Sequence, residues 1–132
     1  MSSPALPNSQ PTVLVVEDDE LVLDAMTRML VREGYLVLTA ASGHDAIGLL
    51  HAPLQPINVL VLDVNLPDVS GIDLCARIRE LHPDLPVVVC TGSTDPNALV
   101  ELLKMGIHRC FHKPVAMQEL LASVESALPW AG

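Results

Sequence analysis

The run Val59-Leu60-Val61-Leu62-Asp63 admits few folds. Four consecutive apolar residues have no polar face to turn to water, so they form a strand covered on both sides. A carboxylate stops the run, and Asn65-Leu66-Pro67-Asp68 turns the chain away. A strand buried on both faces belongs to a parallel sheet with helices on each side. It sets Asp63 at the C-terminal edge of that sheet, where open α/β sheets bind their ligands. One aspartate at a strand end is more often a cap or turn former than a reactive group. What Asp63 does therefore depends on what the other strands bring to the same edge.

Four more strands are predicted, at residues 12–16, 36–40, 86–90 and, the shortest, 109–112. Between them the apolar spacing changes to threes and fours. Val22, Ala25, Met26, Met29 and Leu30 mark the buried stripe of a helix that runs to about Glu33 and stops at Gly34. Ser42-Gly43-His44-Asp45 reads as a capping box, with Asp in the usual place of Glu or Gln. It opens a short helix to about His51 that turns Ala46, Leu49 and Leu50 inward and is ended by Pro53 and Pro56. Ser70-Gly71-Ile72-Asp73 repeats the cap before a helix through Leu81, closed by His82-Pro83. Asp95 as cap and Pro96 as first helical residue start a fourth helix to Met105, stopped by Gly106. The last helix spans about 115–128 and buries Met117, Leu120 and Val124. The alternation predicts an α/β chain of the (βα)5 type. Its connections are short enough for right-handed crossovers in a doubly wound five-stranded parallel sheet of order 2-1-3-4-5.

The chain of 132 residues suits a single domain. Residues 1–11, with three prolines and three serines, read as a flexible lead or linker; 12–128 form the domain and 129–132 a tail. Tyr35, Phe111 and Trp130 are the only aromatics, so the core must be aliphatic. A net charge of -9 argues against nucleic-acid binding and against contact with anionic membranes. No apolar stretch is long enough to span a bilayer and the N-terminus lacks a signal-peptide pattern. Cys75, Cys90 and Cys110 form no C-x-x-C pair, which predicts reduced thiols in a cytoplasmic protein and no zinc site. His44, His51, His82, His108 and His112 show no ligand spacing and read as surface or loop residues.

Four of the predicted strands end in groups that need partners: Glu17 and Asp18, Asp63, Thr91, and Lys113. In a parallel sheet these ends share one edge, and with order 2-1-3-4-5 the first and third strands adjoin there. Asp19 and Glu20 are better read as helix-opening charges. Carboxylates brought together repel and raise one another's pKa, and a hard divalent cation with oxygen ligands relieves that strain. Mg²⁺ fits the count of acids. An ammonium and a hydroxyl beside one such carboxylate are what phosphoryl transfer onto that carboxylate requires.

Leu14-Val15-Val16-Glu17-Asp18-Asp19, the stretch from Leu62-Asp63-Val64-Asn65 through Leu66-Pro67-Asp68-Val69-Ser70-Gly71, Thr91-Gly92-Ser93 and Phe111-His112-Lys113-Pro114 occur in this order. Together they resemble the receiver domain of two-component response regulators and hybrid sensor kinases, over roughly residues 12–128. The resemblance implies the flavodoxin-like receiver fold, with Asp63 as phosphoacceptor and Thr91 and Lys113 touching the phosphoryl group. It implies Mg²⁺ held by Asp18 and Asp63, by Glu17 through water and by the Asn65 carbonyl. Pro114 would follow a cis peptide bond, and Asn65 and Ser93 would occupy positions that tune phosphate loss.

Partners implied in this way are a sensor histidine kinase or phosphotransfer protein, and an effector or a domain of a parent chain. The domain would be a signalling module, not an enzyme, limited to self-catalysed phosphoryl uptake and slow autodephosphorylation. No room remains after the last helix for a DNA-binding domain, so the expectation is a stand-alone regulator or a receiver from a larger protein, and the Pro/Ser-rich lead favours the second. One position departs from the family: three residues before the Lys, where receivers carry Tyr or Phe as a rotamer switch, this chain has Cys110. Phe111 should point to the other face of the sheet. That departure keeps open a receiver-like interaction module that works without phosphorylation. An aspartate-nucleophile phosphohydrolase would want a second acid two residues after the nucleophile, where Asn65 stands. A flavodoxin-like cofactor binder would want a phosphate-cradling loop where Glu17, Asp18 and Asp19 stand.

Overall fold

In a computed structural model of the chain, residues 10–51, 55–92, 96–107 and 109–128 are described. Most of the predicted lead, Pro53, the Asp95 cap, Ser93, His108 and the tail with Trp130 lie outside these residues. The order of elements is β1 (Thr12–Val16), α1 (Glu20–Arg32), β2 (Leu36–Ala40), α2 (Gly43–His51), β3 (Val59–Asp63), α3 (Gly71–Leu81), β4 (Val87–Thr91), α4 (Pro96–Lys104), β5 (Arg109–His112) and α5 (Met117–Ala127). All neighbouring strands pair in parallel, in the order β2-β1-β3-β4-β5. This is the predicted doubly wound sheet.

Every residue of β1, β3 and β4 is buried, whereas the edge strands β2 and β5 are partly exposed. Side chains alternate along each strand and feed two cores. On one face Leu14, Leu60, Leu62 and Val89 pack with Ala46 and Leu50 of α2, Leu74, Cys75 and Ile78 of α3, and Leu102 of α4. On the other, Val13, Val15, Val61 and Val88 pack with Met26 and Leu30 of α1 and Leu120 and Val124 of α5. Burial pushes the thiols of Cys75 and Cys90 up to about 12, so both act as small apolar core residues.

The helices stop where backbone chemistry makes them stop. Gly34 after α1 and Gly106 after α4 have φ of 98° and 77°, a conformation glycine adopts without steric cost. Asp19 caps α1 through the amides of Leu21 and Val22. Ala25 is exposed, contrary to its place in the predicted stripe. Met26 and Leu30 are the buried α1 residues, with Val22 and Met29 beside them, and the small Ala25 methyl falls outside the arc they cover. The last helix also begins later than predicted. Val115 precedes it and Ala116 stays extended, with φ -69° and ψ 128°, so α5 starts at Met117. His82, read as a surface or loop residue that closes α3, is half-buried and its Nε2 lies 2.8 Å from the Leu50 carbonyl, joining the ends of α3 and α2.

Candidate functional site

Glu17 extends β1 by one rung, since its amide donates to the Ala40 carbonyl at 3.0 Å, and this fixes the backbone that carries the first acid. β3 ends in Asp63 beside it. On the far side the Lys113 amide donates to the Thr91 carbonyl at 2.8 Å, which brings the chain after β5 back to the end of β4. The Lys113–Pro114 bond is cis. Adjacent parallel strands thus present Glu17, Asp63, Thr91 and Lys113 on one edge, with the first, second and third of these only 1%, 3% and 6% exposed.

The polar contacts converge on Asp63. Its Oδ1 accepts the Asn65 amide at 2.9 Å, and its Oδ2 lies 2.9 Å from Lys113 Nζ. The same ammonium is 3.2 Å from Glu17 Oε1, while Glu17 Oε2 accepts the Asp19 amide at 3.1 Å. Asp18 is exposed at the rim, and Glu17, Asp18 and Asp63 each present an oxygen within 4.8 Å of the others. Asn65 is exposed too, and a Cβ at Gly92 would stand 3.2 Å from its Nδ2, so the loops after β3 and β4 close over the same edge.

Burial pushes the Glu17 carboxyl up to about 7, and its hydrogen bond and repulsion with Asp63 add to the rise against the pull of the Asp19 amide and of Lys113. Burial alone would lower Lys113, but the hydrogen bond and charge of Asp63, and then those of Glu17, raise it above its ordinary value. One ammonium thus pairs with two of the acids, Glu17 and Asp63, and leaves Asp18 beside them. What remains is an oxygen-only, negatively charged recess open at Asp18. Such a donor set fits a hard divalent cation and offers nothing to a soft one.

Of the six residues predicted for the site, the structure brings the side chains of Glu17, Asp18, Asp63 and Lys113 together, with Thr91 buried at the adjoining strand end and Asn65 joined through its backbone. Two other residues belong to the surroundings and were not predicted in that role. Asp68 reaches across to α2, where its Oδ1 and Oδ2 accept the amides of Gly43 and His44 at 3.0 and 2.9 Å. Gly43, read as part of a local capping box, is buried beneath that loop. The Ser42 half of the box is present, accepting the Asp45 amide at 3.1 Å. The remaining first-turn donors of α2 go to a residue far along the chain, which no local pattern announces.

The chain matches the family model of the response regulator receiver domain over residues 13–125. It is 36% identical over 118 residues to the transcriptional regulatory protein AfsQ1 of Streptomyces coelicolor, covering 89% of this chain and 51% of that protein. It is 34% identical over 117 residues to the transcriptional regulatory protein CreB of Escherichia coli, covering 89% and 50%. The chain spans about half the length of these curated relatives. Among solved structures, the CheY-like response regulator receiver domain protein of Methanospirillum hungatei superposes with a TM-score of 0.84 at 28% identity, covering 89% of this chain and 93% of that one. A response regulator of Burkholderia pseudomallei, solved with a phosphorylated aspartic acid, calcium ion and citrate, gives 0.77 at 29% identity, covering 86% and 66%. The chain belongs to the response regulator receiver domain family.

Proposed function

We propose that Asp63 is the phosphoacceptor of this receiver domain and that it takes its phosphoryl group from a sensor histidine kinase or a phosphotransfer protein. The observation that carries the reading is the position of Asp63, buried, 2.9 Å from Lys113 Nζ and within 4.8 Å of two further acids. Mg²⁺ would be held by the carboxylates of Asp18 and Asp63, by Glu17 through water and by the Asn65 carbonyl. When bound, it would supply positive charge against the phosphoryl oxygens. The calcium ion and phosphorylated aspartic acid of the Burkholderia pseudomallei relative support the same pairing of cation and acid.

The chemistry of the chain's own residues is then simple. A carboxylate oxygen of Asp63 attacks phosphorus, and a P–O bond forms as the P–N bond of a phosphohistidine breaks, the imidazole leaving with the electron pair. Lys113 shifts from the carboxylate to an oxygen of the incoming group, and the Thr91 hydroxyl donates to another. Loss of the group to water is slow, and the signal passes on through contacts with an effector or with a domain of a parent chain. No helix among the described residues is long and apolar enough to cross a membrane, and the charge of -9 opposes binding to nucleic acid. Both fit a cytoplasmic protein-binding module.

Intact mass tests the assignment. A small-molecule phosphodonor with Mg²⁺ should add one phosphoryl group, and either EDTA or Asp63→Asn should abolish the gain. Labelling at another residue, or full labelling in EDTA, overturns it.

A further inference from the structure

The loop between β3 and α3 begins at the proposed acceptor and is pinned at three places. At its start the Asn65 amide donates to Asp63 Oδ1 at 2.9 Å. At its end Gly71 lies so close to Val64 that a Cβ would come within 2.6 Å of the Val64 carbonyl oxygen, so the two ends pinch together. In the middle, Asp68 spreads its two carboxylate oxygens over the Gly43 and His44 amides, two first-turn donors of α2 that no helical carbonyl can satisfy. The fit there is tight. A Cβ at Gly43 would collide with Val69 Cγ2 and sit 3.5 Å from Asp68 Oδ1, so the absence of a side chain at 43 lets the loop lie on the helix.

The attachment joins two arms of the site. α2 follows β2, whose last residue, Ala40, accepts the Glu17 amide. Asp68 therefore ties the loop of Asp63 to the segment that braces Glu17. Without it, residues 66–70 would keep the pinch at their two ends and the apolar packing of Leu66 and Val69, but no polar tie to α2.

Resting on the reading of Asp63 given above, we propose that Asp68 is a positioning residue of the site. By clamping the β3–α3 loop to the first turn of α2, it holds the Asn65 main chain in the position that binds metal and supports Asp63. Asp68 touches neither the metal recess nor the phosphoryl group, so its effect falls on the order of the loop and not on the reacting atoms.

The test compares the wild type with Asp68→Ala and Asp68→Asn. Three quantities are read: the Mg²⁺ concentration for half-maximal labelling of Asp63, the labelling rate at saturating Mg²⁺, and amide hydrogen exchange at Gly43, His44 and Asn65. In Asp68→Ala the half-saturating Mg²⁺ should rise about threefold to tenfold, the range that loss of a capping interaction sets. The saturated rate should stay close to wild type, and exchange should quicken at Asn65 together with Gly43 and His44. Asp68→Asn keeps one uncharged acceptor and should fall between, which also serves if the alanine variant does not fold. Faster exchange confined to Gly43 and His44, with unchanged Mg²⁺ dependence, would make Asp68 a cap of α2 and nothing more. Should the wild type fail to take a phosphoryl group at Asp63, the reading of the acceptor fails by itself. Exchange at Asn65 then still decides the clamp, quickened for it and unchanged against it.

Discussion

At the C-terminal edge of the sheet, ionisable groups are buried against one another; one strand away, at the corner of α4 and β5, apolar groups face water. Glu17 and Asp63 are almost wholly enclosed, whereas Leu99, Val100 and Leu103 of α4 are 40%, 48% and 60% exposed. Both arrangements oppose what burial alone would favour. They also differ in completeness. The edge holds acids, ammonium and buried hydroxyl in mutual contact or adjacency, so its chemistry can run without help from the corner. The corner lacks the ring that receivers use to read the edge: Cys110 packs half-buried on the α2–α4 side beside Val89, and Phe111 packs on the α1–α5 side. On the reading proposed for Asp63, the domain would separate taking the phosphoryl group from announcing it.

The comparison is tested most severely at Lys113. Lys113→Ala removes the ammonium shared by Glu17 and Asp63, and preorganised charge of this kind is worth a large factor in rate. Labelling of Asp63 by a small-molecule donor should slow by about a hundredfold or more, while Cys110→Ala should leave that rate within the scatter of the wild type. Parallel time courses by intact mass provide the check, and comparable losses in the two variants would abolish the distinction between edge and corner.

Metal affinity should separate residues within the edge itself. Asp18→Ala should weaken Mg²⁺ binding by about tenfold or more, as expected for loss of a group that orients or ligates a metal. Asp19→Ala should change it little. The Asp19 group that touches Glu17 is its backbone amide, which survives the substitution. What that variant loses is the α1 cap, a matter of about 1 kcal/mol of stability and not of metal. Calorimetric titration and thermal unfolding of the two proteins give the pair of numbers. Mg²⁺ should also raise the melting temperature of the wild type, since only the folded chain gathers the acids, and raise it less in Asp18→Ala.

The sequence made the edge legible for a definite reason. A strand buried on both faces shows as an unbroken apolar run, so its end is marked wherever a polar residue interrupts it; Glu17 and Asp63 could be placed on one edge from that mark alone, while Lys113 follows a short, partly exposed strand that carries no such mark. The same logic put Phe111 opposite Cys110. Tertiary contacts leave no such mark. Asp68 reads as a turn residue, and its attachment to α2 spans 25 residues with no local signature. Ala25 has the spacing of an apolar stripe but lies outside the arc that Met26 and Leu30 bury. The start of α5 shifted because Ala116 remains extended, so the helix begins only at Met117, a choice made by backbone geometry and not by apolar period.

A smaller effect concerns transmission. With beryllofluoride and Mg²⁺ standing in for the phosphoryl group, amide shifts should be large at Asp63, Asn65 and Thr91, and small over residues 99–105 and 109–111. A site shifts a second region only if that region has two states of different affinity for the change, and a thiol in place of a ring provides little volume to move. Shifts at the corner as large as those at the edge would show that another group relays the signal. Cys110→Tyr would then be expected to add nothing, whereas under the present reading it should enlarge the corner shifts.

The smallest effect lies at Asp68, and it bears on which side of the divide the β3–α3 loop belongs to. The Gly43 and then the His44 amide hydrogen bonds hold its carboxyl below the ordinary value, and the charge on the His44 ring acts in the same direction. A carboxyl depressed in the folded state contributes stability above its unfolded pKa near 3.8, and that contribution is lost as pH falls through the lower folded value. Acid titration followed by amide shifts should therefore move Gly43 and His44 together, only below that ordinary value, with Asn65 following because the loop is released at its middle. Cys110 and its β5 neighbours should not follow, since no contact of Asp68 leads to them. In Asp68→Asn the shared transition at Gly43 and His44 should vanish. If the corner instead moved with Asp68, loop and corner would form one unit, and the separation drawn between taking a phosphoryl group and announcing it would not hold.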